Sequence, residues 1–129
     1  MRILVIDDDP CTTELLTMIL KPISTNILTA HSGREGVRMA KDCSPDVIVL
    51  DMMMPDLDGV QSCREIREFT SVPILIVSSA GQPNLIAEAL NAGADDYLVK
   101  PVTRDILAAT VNKFLRRRPH YTRPAIATV

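Results

Sequence analysis

Four short runs of apolar residues most constrain how this chain can fold. They are rich in β-branched residues, show no polar alternation, and cover residues 3–6, 47–50, 73–77 and 97–99. Continuous apolar runs of this length are typical of parallel strands that are covered on both faces. A fifth and more polar run, at residues 23–30, is predicted to form an edge strand.

Helical segments with their own start signals lie between these runs. The predicted N-terminal signals are Asp9-Pro10, the capping-box pair Ser32 and Glu35, Asp58-Gly59, Gln82-Pro83 and Thr103. Apolar stripes are predicted in the first helix (Leu15, Leu16, Ile19, Leu20) and the last helix (Ile106, Leu107, Thr110, Val111, Phe114, Leu115). Gly93 is predicted to end the fourth helix. The strict alternation predicts an α/β fold, a doubly wound five-stranded parallel sheet with helices on both faces.

Size and composition exclude several classes of protein. A chain of 129 residues, 47% of them hydrophobic, suits one compact domain. No apolar run approaches the roughly 20 residues that span a bilayer, and the acidic start does not resemble a signal peptide, so we expect a cytoplasmic protein without a membrane partner. The net charge of −2 argues against direct nucleic-acid binding. Three cysteines without C-x-x-C spacing argue against disulfides or zinc and are interpreted as small buried side chains.

The domain is predicted to cover residues 1–118. Residues 119–129 contain two prolines and no periodicity, so we interpret them as a tail or the start of a linker.

Polar side chains follow four of the predicted strands. Asp7, Asp8 and Asp9 follow the first, Asp51 follows the third, Ser78 and Ser79 follow the fourth, and Lys100-Pro101 follows the fifth. Ligands bind at the carboxyl ends of the strands in such sheets. Each residue alone has an ordinary explanation: Asp9 as a helix cap, Ser78-Ser79 as a turn, Lys100-Pro101 as a loop. Their convergence at four strand ends indicates a site.

The charges of this site predict its chemistry. Two carboxylates about 4 Å apart repel by roughly 4 kcal/mol at an effective dielectric near 20. Mg²⁺ relieves such repulsion, prefers oxygen ligands and leaves positions for phosphate oxygens. A carboxylate beside it can attack phosphorus and form an aspartyl phosphate. Lys100 can pair with a phosphoryl oxygen, and the Ser78 hydroxyl can donate to another.

In these motifs the sequence closely resembles the receiver domains of two-component response regulators. The matching stretches are residues 3–9, 45–59, 73–78 and 93–101, and the resemblance covers about residues 1–117. It implies the flavodoxin-like strand order 2-1-3-4-5. It also implies a phosphoacceptor switch rather than an enzyme, one that assists its own phosphorylation and dephosphorylation and controls an output domain or partner, possibly transcriptional. The implied phosphoryl donor is a sensor histidine kinase or a phosphotransfer protein.

The resemblance assigns a role to individual residues. Asp51 matches the phosphoacceptor, and Asp7 and Asp8 match the acidic pair, with Asp8 as the direct metal ligand. The metal is Mg²⁺, for which Mn²⁺ could substitute, and the backbone carbonyl of Met53 is a further metal contact. Ser78 matches the switch hydroxyl, Lys100 the phosphate-pairing lysine and Tyr97 the switch aromatic. The Lys100-Pro101 bond is expected to be cis, and Met53 and Ala80 occupy the positions that set the rate of phosphate loss.

Two departures from the family pattern concern the switch and the dimer. Ser78 replaces the commoner threonine and keeps the hydroxyl. Ile106, Thr110 and Asn112 stand where winged-helix regulators carry charged residues for dimerisation. We therefore expect a homodimer through helix 4, strand 5 and helix 5 to be weak.

Three other classes remain as alternatives. An aspartate-nucleophile phosphatase is suggested by the spacing of Asp7 and Asp9, but Pro10 follows and no cap domain is present in the sequence. A nucleotide- or flavin-binding module would need a glycine-rich loop after the first strand, where none stands. A pseudo-receiver adaptor would have lost the site that this sequence retains.

Overall fold

Five strands alternate with five helices along the chain. The computed structural model describes residues 1–116, so the predicted tail and the end of the predicted domain lie outside the described residues. The strands are β1 (Arg2–Ile6), β2 (Asn26–Ala30), β3 (Val47–Leu50), β4 (Ile74–Ser78) and β5 (Asp96–Val99). The helices are α1 (Pro10–Leu20), α2 (Gly33–Cys43), α3 (Gly59–Arg67), α4 (Pro83–Asn91) and α5 (Arg104–Arg116).

All neighbouring strands are parallel, in the order β2-β1-β3-β4-β5. This confirms the predicted flavodoxin-like sheet. The register places Ile6 opposite both Ala30 and Leu50, and Ser78 opposite Val99. The residues that follow these strands therefore share one edge of the sheet.

Both faces of the sheet are buried, which explains why the strands are apolar without alternation. On one face, Leu4, Ile48 and Ile76 pack under α2, α3 and α4. On the other face, Val5, Val49 and Val77 pack under α1 and α5. These strand residues are at most 2% exposed, so both layers of helices are fixed by apolar burial.

All five predicted helix starts are confirmed. The side chains of Asp9, Ser32, Asp58 and Thr103 accept hydrogen bonds from backbone N–H groups of the first helical turns, at 2.8–3.2 Å. Gln82 starts α4 without a side-chain capping bond. Gly93 has φ +117°, a conformation that favours glycine, and it follows α4 as predicted.

The edge strand is shorter than predicted. It begins at Asn26, because the N–H groups of Ile23 and Ser24 donate to the Leu20 carbonyl at 2.9 and 3.1 Å and form a turn after α1. Two residues of the predicted apolar stripes face solvent, Leu15 at 56% and Ile106 at 53% exposure.

The prediction that the cysteines are buried holds for Cys63, whereas Cys43 is half-buried and Cys11 is exposed. Cys63 is buried, and burial raises its thiol pKa to about 11, so it packs as a small neutral side chain. Cys11 is exposed at the start of α1. Among residues 1–116, no helix has the length and apolar character that a membrane span requires.

Candidate functional site

Three carboxylates meet where β1 and β3 end. The N–H of Asp7 donates to the Ala30 carbonyl at 3.1 Å, and the N–H of Asp51 donates to the Ile6 carbonyl at 2.9 Å, which continues the strand pairing to this edge. One carboxylate oxygen from each of Asp7, Asp8 and Asp51 lies within 4.8 Å of the others. Asp7 and Asp51 are buried, whereas Asp8 is exposed. The structure thus brings together the three acidic residues that were predicted from the sequence to form the site.

A lysine that follows β5 balances part of this negative charge. Lys100 Nζ lies 3.2 Å from Asp7 Oδ2. The Lys100 backbone N–H donates to the Ser78 carbonyl at 2.8 Å, and the Lys100-Pro101 peptide bond is cis. Lys100 therefore reaches the acidic cluster from the end of β5.

Several neighbouring groups shift the pKa of Asp51, and they do not all act in the same direction. Burial raises the pKa of Asp51, and repulsion from Asp7 raises it further. Lys100, the Ser78 hydroxyl and the backbone N–H of Met53 partly offset this, since each stabilises the charged carboxylate. The site therefore holds more negative charge than its own residues neutralise.

The donor atoms fit a hard divalent cation. They are carboxylate oxygens close enough to share one ion, and the exposed Asp8 leaves the cluster open to solvent. Asp7 already accepts the Asp9 N–H on Oδ1 at 3.0 Å and the Lys100 ammonium on Oδ2. The exposed Asp8 is accordingly the more available ligand of the pair Asp7 and Asp8.

Ser78 and Tyr97 are linked through the β4–α4 loop. Ser78 is fully buried, and its hydroxyl oxygen accepts the Ala80 N–H at 3.2 Å. The Tyr97 hydroxyl donates to the Ala80 carbonyl. Burial raises the pKa of Tyr97, so it remains a neutral donor. Ser79 is exposed and lies outside this set.

The two positions assigned to the rate of phosphate loss differ in exposure. The Met53 side chain is 59% exposed beside Asp51, whereas Ala80 is 8% exposed. Asp9 serves as the cap of α1, as expected, and it is absent from the carboxylate cluster found among residues 1–116.

Asp56 was not predicted from the sequence to support the site. Its carboxylate accepts the N–H groups of Gly33 and Arg34 at 3.0 and 2.9 Å, which links the β3–α3 loop to the start of α2. These bonds, with the one from Arg34 first, hold the pKa of Asp56 below its usual value. In the sequence, an aspartate after a proline in a loop indicates only a turn, because its partners are more than 20 positions away.

Comparisons with known proteins agree with this geometry. The sequence model of the response regulator receiver domain matches residues 3–112. The transcriptional regulatory protein TrcR of Mycobacterium tuberculosis is 37% identical over 125 residues, which cover 96% of this chain and 49% of that protein. The response regulator MprA of Mycobacterium avium is 41% identical over 118 residues, covering 91% of this chain and 52% of that protein. The chain thus spans about half the length of these curated relatives.

Solved structures give the same result. A two-component response regulator from Clostridium difficile superposes with a TM-score of 0.86 at 34% identity, covering 90% of this chain and 96% of that chain. The BeF3-activated DrrB receiver domain has a TM-score of 0.83 at 30% identity, covering 90% and 97%. From its fold, its rim of acidic residues and these relatives, the chain belongs to the response regulator receiver domain family of two-component systems.

Proposed function

We propose that Asp51 accepts a phosphoryl group from a sensor histidine kinase or a phosphotransfer protein. The observation that carries this proposal is the place of the Asp51 carboxylate, within 4.8 Å of the Asp7 and Asp8 oxygens and in the field of Lys100. A carboxylate of raised pKa beside a lysine and a hydroxyl donor suits nucleophilic attack on phosphorus better than a structural role.

The transfer needs few groups from the chain. An Asp51 oxygen attacks the phosphorus atom, and the donor's bond to phosphorus breaks with its electron pair left on the donor. Lys100 then exchanges its contact with Asp7 for one with a phosphoryl oxygen. The Ser78 hydroxyl, which acts to lower the pKa of Asp51, donates to another phosphoryl oxygen.

Mg²⁺ would be held by the carboxylates of Asp8 and Asp51 and the carbonyl of Met53, with Asp7 beside them, and Mn²⁺ could substitute. When bound, it would neutralise charge on the carboxylates and on the phosphoryl oxygens.

Labelling with a small phosphoryl donor tests the acceptor. Acetyl phosphate with Mg²⁺ should add one phosphoryl mass to the chain, and Asp51→Asn should abolish it. Asp9→Asn is the matched control, because it removes a neighbouring carboxylate that caps α1, where asparagine caps equally well. Equal labelling of the Asp51→Asn variant would exclude Asp51 as the acceptor.

The metal assignment has its own test. Asp8→Ala should lose both Mg²⁺ binding and labelling, because it removes an open carboxylate ligand. Labelling that persists in EDTA would show that the cation has no role.

The proposed switch connects the site to the face formed by α4, β5 and α5. Phosphorylation adds about −1.5 to −2 charge at the rim. Ser78 would turn toward the phosphoryl group, and Tyr97, tied to the Ala80 carbonyl, would fill the space that Ser78 leaves. A beryllofluoride-bound crystal structure in which Ser78 and Tyr97 keep their unliganded rotamers would contradict this.

The same face favours a weak homodimer over a tight one. Asp95 accepts hydrogen bonds from Arg67 and from the Ile74 N–H within the chain, at 2.9 and 2.8 Å. Asp96 lies 3.7 Å from Lys113, also within the chain. Both acids therefore have partners before any second copy arrives, and exposed ion pairs contribute only about 0–1 kcal/mol each. Sedimentation of the activated protein should show monomer at low micromolar concentration, whereas a tight, salt-sensitive dimer would refute the proposal.

We also propose that residues 1–118 form the receiver unit, that residues 119–129 are a tail or the start of a linker, and that the output is transcriptional. The support is the resemblance to regulators named as transcriptional. Limited proteolysis should cut within residues 119–129 and leave the preceding domain intact. Early cleavage inside α5 would place the boundary elsewhere.

A further inference from the structure

The loop between β3 and α3 presents backbone atoms to the proposed phosphoacceptor. The backbone N–H of Met53 lies close enough to the Asp51 carboxylate to help lower its pKa, and the carbonyl of the same residue is the proposed metal contact. Because the Met53 side chain lies largely in solvent, it does not fix the position of its own backbone groups. The position of these backbone groups therefore depends on the contacts that hold the loop.

Hydrogen bonds hold this loop both at its base and farther along the chain. At its base, the Gly59 N–H donates to the Met52 carbonyl at 2.9 Å. Farther along, the two carboxylate oxygens of Asp56 accept separate bonds, Oδ1 from the Gly33 N–H and Oδ2 from the Arg34 N–H. Asp56 thereby joins the loop to a different secondary-structure element, the first turn of α2.

The loop and α2 are in direct backbone contact beside this attachment. A Cβ atom placed on Gly33 would lie 2.3 Å from the Leu57 carbonyl oxygen and 2.8 Å from the Leu57 Cβ. The loop thus packs directly against the start of α2, and Asp56 hydrogen-bonds it there. Helix N-termini favour carboxylates, because the first N–H groups lack partners within the helix.

We propose that Asp56 is a positioning residue for phosphorylation. By fastening the loop to α2, its carboxylate sets the place of the Met53 peptide group relative to Asp51. The inference rests on the proposed function of Asp51 as phosphoacceptor, and it adds a residue outside the acidic cluster to the machinery of the site.

A purely structural role for Asp56 makes a different prediction. If Asp56 only caps α2, its loss lowers stability and nothing else. Glu35 provides the matched control, because its carboxylate accepts the His31 N–H at 2.8 Å at the same end of α2. Glu35→Ala removes a comparable bond from the helix start and leaves the attachment between Asp56 and α2 in place.

The experiment compares Asp56→Ala, Asp56→Asn and Glu35→Ala in the full 129-residue chain. Three quantities are measured: hydrogen exchange of the Met53 amide, the Kd for Mg²⁺ from NMR titration without phosphate, and the initial rate of labelling by acetyl phosphate. Asp56→Ala should speed Met53 exchange and weaken Mg²⁺ binding and labelling by about tenfold each, the lower end for groups that orient metal ligands. Asp56→Asn should recover part of each loss, because its amide oxygen can still accept one of the two N–H groups.

The control and the wild type separate the possible failures. Glu35→Ala should leave all three quantities near wild type, whatever it does to stability. Equal changes in both alanine variants, or unchanged Met53 exchange and Mg²⁺ binding in Asp56→Ala, would overturn the positioning role. Absence of labelling in the wild type would instead refute Asp51 as acceptor, while amide exchange and Mg²⁺ binding would still decide the role of Asp56.

Discussion

The β3–α3 and β4–α4 loops border the same site, but the structure holds them differently. The first is closed by the Met52–Gly59 bond, fastened to α2 by Asp56 and ended by the capping bond of Asp58. The second is held at Ala80, through its N–H to Ser78 and its carbonyl to the Tyr97 hydroxyl.

The helices that follow the two loops differ in the same way. Helices α3 and α4 both have nine residues, yet α3 buries five of them and α4 buries one, Ala89. Helix α3 has a side-chain N-cap and α4 has none. Few buried contacts and a missing cap mark a segment that opens at low free-energy cost. The helix that follows Asp51 is therefore held more firmly than the helix that follows Ser78.

The largest expected difference between the two sides comes from a pair of glycine substitutions. Gly33→Ala should lower the free energy of unfolding by about 3 kcal/mol, because its Cβ would overlap the Leu57 backbone. Gly81→Ala should change it by less than about 0.5 kcal/mol, since its Cβ would meet Val99 at 3.2 Å on an exposed loop. Urea unfolding measures both. Equal losses would mean that the two loops are equally constrained.

A second prediction concerns the lifetime of the aspartyl phosphate. Met53 and Ala80 offer no polar group to orient an attacking water, so we expect a lifetime of many minutes or longer. Met53→Asn should accelerate phosphate loss by at least about tenfold, the lower range of positioning effects. Because Met53 is exposed and Ala80 is buried, this variant is a cleaner test than Ala80→Glu, which can then be added to it.

Timing phosphate release from both proteins measures this effect. Decay within seconds in the wild type, or no acceleration in the variant with both substitutions, would show that another group sets the rate.

Charge repulsion at Asp51 predicts a stability effect of about 1 kcal/mol. Asp51→Asn should raise the free energy of unfolding by roughly that amount at neutral pH without Mg²⁺, since it removes a buried carboxylate that Asp7 repels and Lys100 only partly offsets. The folded-state pKa of Asp51 lies above its unfolded value, so the folded state binds the proton more tightly.

The difference between the two proteins should therefore shrink as pH falls through the folded-state pKa of Asp51. Unfolding curves in EDTA across acidic pH check this trend. A gap that widens at low pH would contradict the assigned repulsion.

The smallest predicted effect tests whether the missing cap keeps α4 loose. Gln82 has φ −67° and ψ 133°, the extended geometry of a capping residue. Gln82→Asp should supply the absent bond to the first turn and stabilise the protein by about 0.5–1 kcal/mol. Amide exchange should slow in α4 and stay unchanged in α3. Uniform slowing in both helices would indicate a global effect.

The local features of this fold were predictable from sequence. Strands covered on both faces read as continuous apolar runs, and caps such as Asp9 and Asp58 act on N–H groups two or three residues away. The cluster of Asp7, Asp51 and Lys100 was also predictable, because parallel strands bring their carboxyl ends to one edge. To predict that edge, one needs to know only which segments form strands and in which direction they run. Short stretches of sequence indicate both.

Other features depended on tertiary contacts. Residues 23–25 resemble a strand, but the N–H groups of Ile23 and Ser24 donate to the end of α1, so β2 starts at Asn26. Leu15 and Ile106 fit helical stripes, yet their exposure depends on where each helix meets the sheet. Asp56 reaches Gly33 across 23 positions, and Arg67 reaches Asp95 across 28. Such pairings follow from how helices and loops pack in space, and no spacing rule within a single segment encodes them.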